Sequence, residues 1–202
     1  WYFSGTGSTH TNYDWFYKVR DKYESWVDTS SFKPIRFKRD VSEGGKYTFD
    51  DYYFNYGKNK VFTVSKRGKD AAKLDSAKIT SCTFDAQTLI FYARCIDFSK
   101  YKMNDTIPFD LFLDGKLEHV YIRYLGKEIF NSKETGKYNC IKFKTLLIEG
   151  SIFAKGENMV VWVTDDKNKI AVYVESEISV GTIKVYLKKY SGLRNKMTAK
   201  ME

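Results

Sequence analysis

Apolar and polar residues alternate with a period of two along much of this chain, and that period fits a strand with one wet face. Ile35 and Phe37 alternate with Arg36 and Lys38, and Ile141, Phe143 and Leu147 with Lys142 and Lys144. Phe109, Leu111 and Leu113 run into Asp114-Gly115 and then Val120 and Ile122. This is a hairpin signal, because Asp-Gly reaches the positive φ angles of a tight primed turn. Gly44-Gly45, Gly57 to Asn59, Gly126, Gly156 to Asn158 and Asp165 to Lys169 punctuate the rest. The rhythm predicts about ten or eleven strands, and twisted open sheets of that size curl or split. The expectation is a mainly β fold: a strongly curved antiparallel sheet forming a barrel or half-barrel, with one or two short helices, in a single domain over 1–202.

Local departures sharpen this picture. The apolar phase slips from Tyr47 and Phe49 to Tyr52, Phe54 and Tyr56, which predicts a bulge near Asp50-Asp51, since a register slip otherwise turns side chains to the wrong face. Asp85 is placed to cap a short helix with Ala86, Leu89, Ile90 and Ala93 on one apolar face. Asp14 to Val19 reads either as one helical turn or, through Trp15, Tyr17 and Val19, as a strand. Gly5-Thr6-Gly7-Ser8-Thr9 lacks the Lys and the following helix of a phosphate loop, and reads as a turn between two N-terminal strands.

Composition enters where it excludes. Aromatic residues make up 17%, with 16 Tyr and 15 Phe, which favours pleated, half-buried surfaces. The net charge of +9 comes from 27 Lys and 7 Arg against 25 acidic residues. Base and phosphate recognition favours the planar Arg fork, and the lysines are spread singly, so no nucleic-acid partner is expected. The apolar runs Leu89 to Ala93 and Met159 to Val163 fall far short of the ~18 residues of a membrane helix. The sequence starts at Trp1 in what reads as a strand, without a charged-then-apolar leader, so an export signal is expected upstream. Cys82, Cys95 and Cys140 lack metal or redox spacing. They read as buried free thiols, with one bonded pair as the alternative in an oxidising compartment. No metal and no cofactor is expected.

Catalytic chemistry has little to build on. His10 and His119 stand in unrelated contexts without a nucleophile elbow, so no enzyme activity is expected. The acidic pairs Asp50-Asp51 and Asp165-Asp166, with Glu175 and Glu177, leave a glycan-cleaving carboxylate pair as a minor alternative. Asp165 to Asn168 is better explained by turn formation than by calcium binding. Asp75-Ser76-Ala77 and Asp105-Thr106-Ile107 have the form of short O-glycosylation tripeptides, a match that three residues reach by chance. The aromatic surplus is the informative class. Much of it is core, and Trp15, Phe16, Trp26, Phe49, Phe54 and Trp162 are the candidates for lining an apolar cleft, because concave apolar surfaces commonly receive ligands.

Specific strings also carry a likeness. Tyr17-Lys18-Val19-Arg20-Asp21-Lys22-Tyr23-Glu24-Ser25-Trp26-Val27-Asp28 with Pro34, then Phe37 to Asp40, Glu43-Gly44-Gly45 and Asp51 to Tyr56, resemble the bacterial exported-protein family known as domain of unknown function 3108. Asp85 to Arg94, Val161 to Asp166, Ile178 to Leu187 and Tyr190 to Leu193 continue the likeness, while Ala171 stands where that family often has proline. The resemblance implies export to the periplasm or cell envelope and a curved, barrel-like antiparallel sheet; it brings no active site. The expected function is a non-enzymatic binder of an apolar or amphipathic, lipid-like ligand, peripheral to the envelope. The alternative is a structural or interaction module that binds anionic envelope polymers or a protein partner through a basic face. The oligomeric state is left open.

Overall fold

A computed structural model describes residues 1–147, 156–178 and 181–201. These form two compact units, one of residues 1–93 with 109–118 and one of 94–108 with 119–202. The fold is mainly β.

The first six strands are β1 (Tyr2–Ser8), β2 (Val19–Val27), β3 (Pro34–Glu43), β4 (Lys46–Asn55), β5 (Lys60–Arg67) and β6 (Lys73–Lys78), an antiparallel meander in chain order. Then come β7 (Thr83–Phe84), the helix α1 (Ala86–Ala93), β8 (Thr106–Leu113), β9 (Lys116–Ser132), β10 (Gly136–Leu147), β11 (Gly156–Thr164), β12 (Ala171–Glu177) and β13 (Thr182–Tyr186). Their sheet has the order β13-β12-β11-β10-β9-β8-β7, with β7 parallel to β8. The expected barrel or half-barrel does not form. Each hairpin adds its strand to the outer side of the last, so β1 and β6 end one sheet and β7 and β13 the other, and neither sheet closes or curls strongly.

Two of the predicted turns are present where positive φ is needed: Gly44 and Gly45 (φ 55° and 83°) join β3 to β4, and Asp114 and Gly115 (φ 49° and 76°) join β8 to β9, whereas Gly126 lies within β9 and Gly156 to Asn158 open β11. The bulge expected at Asp50-Asp51 is absent, since β4 pairs without interruption from Lys46 to Tyr53 with β3 and from Thr48 to Asn55 with β5. The phase slip arises because both faces of β4 carry aromatics. Tyr52 and Phe54 face inward, while Tyr47, Phe49 and Tyr53 face outward, and the inward Asp50 is neutralised by arginines. The Gly5-Thr6-Gly7 string is the middle of β1, not a turn. A Cβ on Gly5 would stand 3.2 Å from the side-chain amide of Gln87, which would have to give way slightly, while one on Gly7 would make an ordinary contact 3.6 Å from Asp21 Cβ. The helical turn expected at Asp14 to Val19 lies earlier, as a short 3-10 turn at Thr11–Tyr13 capped by Asp14, and of the alternative strand only Val19 is realised, where it opens β2.

Asp85 caps α1 as expected: its Oδ1 accepts from the Thr88 amide at 2.8 Å and from Ser25 Oγ at 2.7 Å. The buried face differs from the one predicted. Thr88 is buried and Ile90 exposed, and Phe91 stacks on Phe3 at 4.0 Å while Tyr92 meets Phe84 at 4.7 Å. The helix packs by its aromatic rather than its aliphatic side.

In the first unit the inward face of the meander holds Phe37, Tyr52, Phe54 and Val61, and Phe112 from the β8–β9 hairpin closes on Tyr52 edge-on at 5.1 Å. Full burial of such side chains contributes roughly 1.5–3 kcal/mol each. In the second unit both faces of the sheet are packed. Phe98 stacks on Phe143 on one face; Tyr138, Cys140, Trp162, Val172 and Tyr173 form the core on the other. None of the three cysteines is in a disulfide; Cys140 is buried as expected, whereas Cys82 and Cys95 are exposed because they sit in the turn before β7 and just past α1. The hydroxyl residues Ser76 and Thr106 lie on exposed strand positions.

Candidate functional site

The outward face of the first meander carries one continuous row of planar side chains. Strand register places Tyr2 beside Trp26, Trp26 beside Arg36, Arg36 beside Tyr53, and Tyr53 beside Phe62. Alternation alone makes these residues share a face. The Arg36 guanidinium sits between two rings, 5.1 Å from the centroid of Trp26 and 4.9 Å from that of Tyr53. Its Nε and Nη2 are taken by the two oxygens of Asp51, at 2.8 and 2.6 Å. The row is therefore a self-supporting ladder whose charge is neutralised within the sheet and whose ring edges reach solvent. Tyr2, Tyr53 and Phe62 are 53%, 43% and 42% exposed. Leu74 adds an exposed aliphatic group on the same face. Lys38 stands one row along, beside Glu24 and Asp51, and Lys22 and Lys66 two rows along, with Lys38 Nζ over the Phe49 ring at 5.5 Å and Lys22 paired to Glu24 at 2.9 Å.

The inward face of the same sheet holds a second, polar cluster. Asp50 on β4 is completely buried and binds Arg39 and Arg67, and Arg39 also binds Asp114 at the hairpin tip. Burial works against the Asp50 charge, yet Arg39 and the bonds from Ser65 and Arg67 hold its carboxyl below the usual range. One turn of the pleat away, Asp21 meets Glu43. Burial, then the Glu43 charge, pushes the Asp21 carboxyl up to about 6, and its Oδ1 is buried without a hydrogen-bond partner. Carboxyl pairs of this kind serve acid–base chemistry elsewhere. Among the described residues no metal-ligating cluster accompanies the pair.

The six aromatic candidates do not line one cleft. Trp26 and Phe49 share the outward face, and Phe54 belongs to the inward core. Trp15 and Phe16 stand 84% and 79% exposed in the link before β2, edge-to-face at 6.0 Å. Trp162 lies in the second unit, its indole N–H donated to Glu128 and its ring under Lys142 Nζ at 4.8 Å. Arg36, Tyr2, Tyr53 and Phe62, which complete the row, escaped the sequence reading. Only register could have found them, since Arg36 alternates like any solvated strand charge. The acidic pairs are also accounted for. Asp50 and Asp51 point to opposite faces and each is held by arginine, and Glu175 accepts from Tyr173 at 2.5 Å. Asp166 Oδ1 builds its turn by accepting from Asn168 N, Lys169 N and Thr164 Oγ1.

The second unit contains two shallow depressions, of about 320 and 280 Å³, that share Lys127, Asp165 and Thr198. Lys127 and Asp165 form an ion pair at 2.7 Å there. Their lining mixes charged groups such as Lys127 and Asp165 with Ile129, Phe98 and Ile141, and is not the predominantly apolar lining of a lipid-sized cleft.

A family model described as a protein of unknown function, DUF3108, matches residues 1–188. The chain belongs to that family. No curated protein and no solved structure matches it. The matched span of this DUF3108 member contains the whole planar row, the Asp21–Glu43 pair, the Asp85 cap and every strand described above.

Proposed function

We propose that this DUF3108 member is an exported, non-enzymatic envelope protein that binds an amphipathic, lipid-like ligand with an anionic group. It takes this ligand on the open outward face of the first meander rather than inside a barrel. The row from Tyr2 to Phe62 carries the proposal. It crosses five strands, on the order of 19 Å at the ~4.8 Å strand spacing, and contiguous exposed apolar surface of that extent marks interaction sites. Its rings are held by Arg36 and their neighbours, so little side-chain entropy is lost when a ligand settles on them. The apolar part of the ligand would lie along the row, and its anionic group near Lys22, Lys38 and Lys66. Export and envelope location follow the family resemblance.

Titration with lauric acid, and with a neutral maltoside of the same chain length, tests this. The expected outcome is saturable binding of lauric acid, weakened at least tenfold in Tyr53→Ser/Phe62→Ser and weaker for the maltoside. Absence of binding, or equal binding by the variant, would end the proposal.

A charge asymmetry favours a second reading, an interaction module for anionic envelope polymers. The second unit has 18 Lys and Arg against 11 Asp and Glu, while the first has 16 against 14. Retention of the protein on heparin at low salt and release by sodium chloride supports it, since screening weakens such attraction; retention indifferent to salt opposes it.

A further inference from the structure

Beyond β13 the described residues form no strand of their own, yet the chain returns to the sheet of the second unit. The ladder of β10 with β11 ends at Cys140, opposite Thr164, followed by one bond from the Asp165 amide to Asn139 O at 2.8 Å. Beyond that bond the edge of residues 137–139 is filled by the chain's own C-terminal segment. The Asn139 amide donates to Ala199 O at 2.8 Å, the Met201 amide donates to Lys137 O at 2.9 Å, and Tyr138 bridges antiparallel to Lys200. The segment behaves as a strap laid along the part of the edge that β11 leaves open.

The β11–β12 turn clasps it. Asn168, almost wholly buried, spends its side-chain amide on the strap: Nδ2 donates to Asn195 O at 3.1 Å and to Lys196 O at 3.4 Å, and Oδ1 accepts from the Asn195 amide at 3.2 Å. Asp166 Oδ2 accepts from the Thr198 amide at 3.2 Å. Every one of these bonds reaches backbone, so the clasp reads an extended chain and not a sequence.

Packing under the strap is thin. Ala199 alone between 191 and 201 is buried, and Met197 rests partly buried on the cluster of Tyr138, Trp162 and Tyr173. Thr198 walls both shallow depressions, so space lies beside the strap as well. A segment held by backbone bonds with few buried apolar contacts opens at low free energy. An open sheet edge is a template for another strand. The acceptor edge and the clasp lie inside the family match, which ends at residue 188, and the strap lies outside it.

We propose that residues 137–139 of β10, with Asp166 and Asn168, form an acceptor slot for an extended peptide segment of a partner polypeptide, occupied in cis by the chain's own strap. The fitting segment carries a small residue where Ala199 lies and an unbranched apolar one where Met197 lies. While tethered, the strap competes at an effective concentration on the order of millimolar, so a free peptide binds only when the strap is loosened.

Two measurements on the full chain test this. Hydrogen exchange of the native protein is expected to show the Asn139 and Met201 amides exchanging at least tenfold faster than the ladder amides of Ile141 and Phe143. Equal rates would mean that the strap does not open locally and would overturn the proposal. The second uses a fluorescent peptide with the sequence of residues 194–201. It is expected to bind a chain loosened in the strap alone, Thr198→Pro/Ala199→Asp with Asp166 and Asn168 kept, at least tenfold more tightly than the unaltered chain. A folded variant that ignores the peptide, or an unaltered chain that binds it equally well, would overturn it too.

Discussion

Asp50 and Arg39 face each other across β4 and β3 as register partners, and the carboxylate of the first is sealed from solvent by the guanidinium of the second. A buried ion pair adds little over an apolar pair, but removing one partner strands the other charge in a dry interior. Asp50→Ala is therefore expected to cost about 3–5 kcal/mol, read as a lower urea midpoint at unchanged slope. A midpoint within error of the unaltered chain would show that Arg39 finds water or Asp114 instead.

The Asp21 carboxyl makes stability depend on pH in the direction opposite to most acids. Its folded pKa of about 6 lies above its ordinary value of 3.8, so its favourable contribution is full below about 4 and is lost as pH rises through 6. Asp21→Asn should then raise stability at pH 7 by about 1–2 kcal/mol, a figure discounted for partial exposure, and change it little at pH 4. Thermal unfolding at both values decides. Asp85, also pushed up to about 6 by burial, keeps part of the slope in the variant.

Asp85 joins α1 to β2 through Ser25 and to its own helix through Thr88. Asp85→Ala removes the cap and leaves those donors unpaired, at about 2–3 kcal/mol. Asp85→Asn keeps an acceptor for the Thr88 amide and should lose less than half as much. Chemical denaturation of the two variants side by side gives the comparison.

Much of this architecture was legible beforehand. The hairpins at Gly44-Gly45 and Asp114-Gly115 were visible because positive φ restricts which residues can stand there, and the Asp85 cap because its spacing is local. The outward row was not. Trp26 and Arg36 stand ten residues apart and Tyr53 and Phe62 nine, and only register brings them together. The barrel expectation failed for a related reason, since whether first and last strands meet is a global property that alternation does not encode. Asp50 misled the phase reading because a polar residue on an inward face looks like a slip unless its arginines are known.

Gly44 is a position where backbone and neighbour agree. It sits at φ 55°, and a Cβ there would lie 2.4 Å from Tyr17 Cε2. Gly45, at φ 83°, has open space. Gly44→Ala should cost at least about 1 kcal/mol more than Gly45→Ala, measured as the difference in urea stability. Equal costs would mean that Tyr17 moves aside freely.

The cysteines offer a direct probe of burial. With Cys82 and Cys95 exposed and the Cys140 thiol pushed up to about 12 by burial, a thiol reagent at pH 8 should label two sites quickly. The third should react only in denaturant. Fast labelling of all three by intact-mass analysis would contradict the packed second-unit core.

The β8–β9 hairpin belongs by its tip, residues 109–118, to the first unit and by its remainder to the second. A chain emerging from a ribosome therefore cannot finish its first unit until residue 118 has appeared, after the second unit has already begun at residue 94. When residue 93 has appeared, Tyr52 and Phe54 still wait for Phe112. A genetic cut between them would leave the earlier half without the ring that closes it.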